Sequence, residues 1–363
     1  PPPWFSACYP ETLPVRADGT RVWPGGRQAF CPSSPVFREH SLRLTQKIAE
    51  RYADHPALAM WHVSNEIGNH NVLCYCDVSA AAFREWLETK YEDLDRLNEA
   101  WGTAFWSQRY SEWNQIPPPR QVFTFGNPTH DLDFRRFSSD ACLDIYRAER
   151  DTLRSVTPEI PITTNLVPNH REFDYWEWAP ELDVIATDHY LKAADPEAHI
   201  ELALTADVSR GLAGGEPWML MEHSTSSVNW QPRNTAKQPG EMIRNSLQHV
   251  ARGADAVMFF QWRASRFGAE KYHSAMVPHA GTDTRVWREV VELGEILERL
   301  EGVAGTTLQS EVALLFDWQS WWALDMPSHP STDVAYLDQV HSLYRGLWEA
   351  GVTVDVVAPA ADL

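Results

Sequence analysis

The chain has 363 residues, 44% of them hydrophobic, enough to fill the core of one large domain, or of one large and one small domain. Lys and Arg number 31 against 50 Asp and Glu, a formal net charge of −19, and so acidic a surface repels nucleic acid and anionic membranes. No run of about 18 apolar residues is present, so no transmembrane helix is expected, and no basic-then-apolar leader is visible in a sequence whose first residues, Pro1-Pro2-Pro3-Trp4, do not look like a native N-terminus. Five cysteines do not make the framework of a secreted disulfide protein. A cytoplasmic protein that binds neither nucleic acid nor membrane is the expectation. The 17 Trp and 11 Tyr serve either packing or the flat apolar faces that a sugar site needs.

Read in order, the chain alternates helices and strands. Residues 36–53 place Phe37, Leu42, Leu44, Ile48 and Tyr52 at helical spacing, and Asp54-His55-Pro56 ends the run. An apolar, strand-like run over 57–66 follows and ends in Asn65-Glu66. Residues 79–91 and 93–101 read as helices, with Asp93 as an N-cap. A long irregular stretch, 102–130, holds Pro117-Pro118-Pro119 and Gly126-Asn127-Pro128, and loops of this length are usually functional or mobile. A helix is expected over 132–156, strands over 160–165 and 182–188, and a helix over 196–213 stopped by Gly214-Gly215. The strand 217–222 ends in Met221-Glu222; a helix over 238–252, a strand over 256–262 and a helix over 283–301 follow, with Gly302 as a stop. Strand 311–317, helix 333–350 and strand 352–357 then form a βαβ unit that opens a doubly wound domain.

Two of these strands end in a glutamate, which is a poor packing choice and a good catalytic one. Carboxylates at the C-terminal ends of β/α strands sit at the mouth of a barrel. Cleaving a glycosidic bond takes such a pair, about 5–5.5 Å apart when configuration is retained and further apart when it is inverted. Five strands precede residue 303, whereas a closed β/α barrel has eight. The expected fold is α/β: a (β/α)8 TIM barrel represented by strands four to eight over 1–302, then the truncated start of a Rossmann-like domain over 303–363. An open five-stranded sheet is the alternative. No zinc-protease, serine-hydrolase, phosphate-loop or dinucleotide motif is present.

Several segments together carry a resemblance. They are Phe30-Cys31-Pro32-Ser33-Ser34-Pro35, Trp61-His62-Val63-Ser64-Asn65-Glu66-Ile67-Gly68, Cys74-Tyr75-Cys76, the run from Leu94 to Trp106, Met221-Glu222-His223-Ser224, and Phe259-Phe260-Gln261-Trp262-Arg263. In these the chain resembles the family 42 glycoside hydrolases, the β-galactosidases with catalytic glutamates on barrel strands four and seven. The resemblance implies Glu66 as acid/base and Glu222 as nucleophile. It implies that Arg27 and Asn65 hold sugar hydroxyls, that Tyr190 keeps the nucleophile ionised, and that Trp230 forms an aromatic wall. Glu270 and His273 would grip the hydroxyls that distinguish galactose, and Trp106 would line the pocket of its own or a neighbouring subunit. His62, His189 and His223, near strand ends, would contact sugar or support groups that do.

Many members of that family hold a structural zinc on four cysteines. Here Cys31, Cys74 and Cys76 match, but the fourth position is Ser79, a poor zinc ligand, with Asp77, His70 or water as substitutes. A tightly held zinc is not expected, and no cofactor is required for the reaction. Cys8 and Cys142 are expected to be buried as small hydrophobes. The implied function is a retaining exo-β-galactosidase acting on short galactosides, as a homotrimer. A related enzyme preferring α-L-arabinopyranosides or β-glucosides, and a non-catalytic sugar-binding barrel, remain open alternatives.

Overall fold

The structure, a computed structural model, describes residues 1–361; Asp362 and Leu363, the last two residues of the expected second domain, lie outside them. In chain order the helices are α1 (Pro3–Cys8), α2 (Pro35–Tyr52), α3 (Asp77–Tyr91), α4 (Leu94–Trp101), α5 (Pro128–Val156), α6 (Tyr175–Trp178), α7 (Ala198–Leu212), α8 (Glu241–Val250), α9 (Arg285–Arg299), α10 (Trp318–Leu324) and α11 (Tyr336–Glu349). The strands are β1 (Trp61–His62), β2 (Ile162–Thr163), β3 (Asn165–Leu166), β4 (Ala186–Asp188), β5 (Trp218–Glu222), β6 (Ala254–Val257), β7 (Val312–Leu315) and β8 (Val354–Val357). Two compact units result. The first takes Pro1–Ile162, Arg171–Asp174 and Trp318–Tyr336; the second takes Thr163–His170, Tyr175–Asp317 and the chain from Leu337 on.

Local chemistry starts the helices of the first unit. Ser34, Asp93 and Asn127 each accept a backbone N–H with the side chain, at 3.2 Å from Phe37, 2.9 Å from Arg96 and 2.9 Å from Thr129. Pro35 and Pro128 occupy the first helical positions of α2 and α5, where a missing N–H costs nothing. Gly102 ends α4 in the left-handed region at φ 61°, as expected for a helix stop. Packing then decides the rest: Phe83 and Leu87 of α3, Leu97 and Trp101 of α4, and Phe134 and Phe137 of α5 form one buried cluster.

In the second unit, β3, β4, β5 and β6 lie side by side in that order, all parallel. Asp188, the last residue of β4, stands in register with Glu222, the last of β5. Helix α7 is buried on nearly every face, which matches its apolar sequence. Gly211 near its end is required: a Cβ there would lie 1.9 Å from the carbonyl oxygen of Val356 in β8. Strands β7 and β8 pair in parallel, Val312 opposite Val354.

Three expectations change. The strand expected over 57–66 is ordered as strand only at Trp61–His62, and Glu66 lies four residues beyond it in a turn. The run 256–262 is strand only to Val257, although the N–H groups of Met258 and Phe260 still donate to the carbonyls of Leu220 and His223 at 2.9 and 3.1 Å, and the carbonyls of Gln261 and Trp262 accept from Met276 and Val277, at 2.8 Å each. Cys142 is buried as expected, but Cys8 is exposed at the end of α1. No helix among the described residues is long and apolar enough to cross a membrane.

Candidate active site

Glu66 is only 8% exposed, and its surroundings are built to hold one backbone shape. Ser64 and Glu66 both adopt positive φ, 36° and 48°, in the left-handed region that costs non-glycine residues energy. Gln28 stabilises this turn. Its amide donates to the carbonyl of Glu66 and, at 3.3 Å, to that of Asn65, while its own oxygen accepts the N–H of His70 at 3.0 Å. Ser64 donates to the buried carboxylate of Glu149 on α5 at 3.0 Å, and Ser41 on α2 donates to the same carboxylate. Burial raises the pKa of Glu149, and the two hydroxyl bonds oppose that rise. On the side-chain end, the Arg27 guanidinium forms an ion pair with the Glu66 carboxylate.

Glu222 is held within the second unit. The Tyr190 hydroxyl donates to one carboxylate oxygen at 2.6 Å, and Asn165 approaches the other at 3.5 Å. Asn165 also donates to Asp188 at 2.6 Å, and the His189 N–H donates to the Glu222 carbonyl at 3.0 Å. These residues occupy the C-terminal ends of β4 and β5 and the start of β3, so the parallel sheet itself collects them. Asn165, Asp188, Gln28 and Glu149 were missed by sequence reasoning. Asn165 and Asp188 carried the signal that singled out Glu222, a polar residue on an apolar strand.

Tyr190, Trp230 and His273 converge. The Trp230 and His273 rings stack at 5.0 Å and 23°, and Tyr190 meets them edge-on at 4.8 and 5.8 Å. His273 is buried, and the Ser274 carbonyl 2.7 Å from Nδ1 makes that nitrogen the donor. Its Nε2 is therefore an acceptor, with no partner among the described residues. Burial lowers the pKa of His273 and keeps it in this neutral form. Glu270 accepts the His273 N–H through its backbone carbonyl at 3.0 Å. Trp106, 60% exposed on a 3-10 turn, packs on Phe105, and His62 is exposed.

Cys31, Cys74 and Cys76 bring their sulfurs within 4.8 Å of one another. Cys31 and Cys76 are 3.5 Å apart, and the Ser79 hydroxyl lies 3.1 Å from Cys31. The hydrogen bond from Cys31, joined by those from Cys74 and Ser79, pulls the pKa of Cys76 well down, and its place as N-cap of α3 favours the same thiolate. Three soft donors suit a thiophilic ion, but a closed structural zinc site takes four thiolate or imidazole ligands. Asp77 is engaged by Arg120 at 3.0 Å and His70 is exposed, so neither residue completes the set. The donors fit three of the four positions and do not close a zinc site.

Comparison with known proteins shows the family. The family model described as "Beta-galactosidase", glycoside hydrolase family 42, matches residues 1–300, and the "Beta-galactosidase trimerisation domain" model matches residues 310–363. A β-galactosidase of an Arthrobacter species is 57% identical over 365 residues, covering 100% of this chain and 53% of that protein. One from Geobacillus kaustophilus is 44% identical, covering 100% of this chain and 54% of that protein. The crystal structure of a β-galactosidase from Bacillus circulans sp. alkalophilus superposes with a TM-score of 0.95 at 42% identity, covering 100% of this chain and 54% of the other. The chain thus spans about half the length of the curated relatives it matches. The fold is α/β, with strands four to eight of a TIM barrel followed by the start of a doubly wound domain. By its fold and by the family model over residues 1–300, the chain belongs to the family 42 glycoside hydrolases, the β-galactosidases.

Proposed function

We propose that the complete protein is a retaining exo-β-galactosidase that releases terminal non-reducing β-D-galactose from short galactosides. The observation that carries this reading is Glu222 at the end of β5 with the Tyr190 hydroxyl on its carboxylate at 2.6 Å. A hydrogen bond to the charged form favours an ionised, nucleophilic carboxylate. Family membership supports galactoside cleavage as the chemistry.

In this mechanism Glu66 protonates the glycosidic oxygen while Glu222 attacks the anomeric carbon and the aglycone leaves. A glycosyl ester forms on Glu222. Glu66, now a carboxylate, takes a proton from water as that water displaces the ester, releasing the sugar with configuration retained. Arg27 orients Glu66 and, with Asn65, binds sugar hydroxyls. Trp230 offers a ring to the apolar sugar face, and His273 Nε2 offers a buried acceptor to a hydroxyl. Glu270 takes a second hydroxyl, and Trp106 closes the pocket from its own or a neighbouring subunit. The reaction as drawn uses no cofactor.

A homotrimer is part of the proposal, supported by the trimerisation-domain match over residues 310–363. A cytoplasmic location is supported by the acidic surface and by a cluster of free thiols that suits a reducing compartment.

The test is to assay the complete protein on p-nitrophenyl β-galactoside, β-glucoside and α-L-arabinopyranoside beside Glu222→Gly and Glu66→Ala. Turnover of the β-galactoside, loss in Glu222→Gly, and azide rescue to the inverted glycosyl azide are expected. Wild-type turnover of none of the three removes the enzyme reading. Faster turnover of the glucoside or arabinopyranoside moves the substrate, and full activity in Glu222→Gly removes the nucleophile.

A further inference from the structure

Lys237 is an unusual core residue. It is 2% exposed, on the segment between Trp230 and α8, and no carboxylate forms an ion pair with it among the described residues. Burying an ammonium without a counter-charge is costly, and a methionine of similar volume would avoid that cost. Burial pushes its pKa down to about 7, against the weaker opposing pull of Glu241.

Its contacts define a task. The ammonium donates to the Ser224 carbonyl, two residues beyond Glu222, and lies 3.4 Å from His223 Nε2. His223 is fully buried, and the His189 carbonyl 3.2 Å from its Nδ1 makes that nitrogen the donor. Nε2 is then the acceptor, and Lys237 supplies its proton donor. The stem of Lys237 is fixed as well: its backbone carbonyl accepts from Arg285 of α9 at 2.8 Å. The hydrogen bonds run in one direction, from Lys237 to His223 at the end of β5 and from His223 to the peptide of His189 at the end of β4. His189 precedes Tyr190, whose hydroxyl holds Glu222.

We infer that Lys237 is a positioning residue for Glu222: it fixes the His223 tautomer and the backbone after Glu222, and so keeps the ends of β4 and β5 in the register at which Tyr190 meets the carboxylate. The inference rests on Glu222 being the nucleophile. It needs no contact between Lys237 and substrate.

The experiment uses the complete protein. Lys237→Met removes the donor at constant volume, and Lys237→Ala leaves a cavity into which propylamine can bring an ammonium back. In both variants kcat on p-nitrophenyl β-galactoside is expected to fall about tenfold or more, with KM within about twofold. Propylamine is expected to restore at least part of the lost rate in Lys237→Ala and none in Lys237→Met. If Lys237→Met does not fold, Lys237→Ala with and without amine carries the same decision. Retention of kcat within twofold, parallel loss of kcat and KM, or amine stimulation of both variants alike overturns the positioning role. Glu222→Gly with azide, run alongside, separates that outcome from failure of the nucleophile assignment.

Discussion

Tyr190, two residues past the end of β4, and Glu222, the last residue of the neighbouring parallel strand β5, meet at 2.6 Å, hydroxyl to carboxylate. The bond stabilises the charged carboxylate, as the proposed role of Glu222 as nucleophile requires. Tyr190→Phe is expected to lower kcat/KM by about 10- to 100-fold. A Phe variant with the wild-type kcat/KM would remove this role.

His130 makes stability depend on pH. It is buried against Trp101, their rings stacked at 4.6 Å, with Nε2 2.8 Å from the Pro117 carbonyl. Burial lowers its pKa from 6.5 to about 4. The folded protein therefore keeps His130 neutral where the unfolded chain binds a proton. Stability is full above about pH 6.5 and falls as pH drops toward 4, by about 3 kcal/mol at most from this group. Thermal unfolding of His130→Gln between pH 7 and 4 is expected to show a flatter acid slope than wild type. An unchanged slope would assign the acid sensitivity elsewhere.

Asp207 on α7 is fully buried between two arginines, Arg210 and Arg252, each at 2.5 Å, and also accepts from Tyr344 of α11. Arg210 carries the network to β8 through the Val354 carbonyl at 2.6 Å. Asp207→Ala leaves positive charge buried without its partner and is expected to cost about 3–5 kcal/mol. Denaturant unfolding measures it. A loss below 1 kcal/mol (roughly what an exposed pair is worth) would mean that the network contributes little.

The thiol cluster has a one-residue remedy. Ser79 stands 3.1 Å from Cys31 and 3.8 Å from Cys76, at the place a fourth thiolate would occupy. Ser79→Cys is expected to raise zinc affinity about tenfold or more, measured by competition with a chromophoric chelator. Equal affinity in the two proteins would show that the hydroxyl, or water, already serves as an adequate fourth ligand.

Much of the helical architecture was legible in the sequence because its signals are local. Ser34, Asp93 and Asn127 are caps that act over three residues, and the expected helices sit within a few residues of α2, α3, α4, α5, α7, α8, α9 and α11. The short helices α1, α6 and α10 were not foreseen; in α10, Trp318, Trp321 and Trp322 are buried by packing rather than set by a cap. Strand ends were less legible. Among the residues of the apolar runs 57–66 and 256–262 only Val63 and Glu66 are buried, so apolar composition alone marks neither burial nor strand, and strand length depends on which neighbouring backbone accepts the next hydrogen bond.

The sequence by itself singled out the candidates: two glutamates, each placed where an apolar run ends, and residue types that suit a sugar. The tertiary structure decided what holds them. Glu66 sits not on a strand but in a positive-φ turn, tied by Gln28 and Ser64, and Glu222 is gripped by Tyr190 and Asn165. Gln28 is 38 residues from Glu66, and Asn165 is 57 from Glu222. Partners so far apart along the chain leave no periodicity to read, because they meet only in the folded chain: Asn165 and Glu222 through the parallel sheet, Gln28 and Glu66 through a loop laid against a turn.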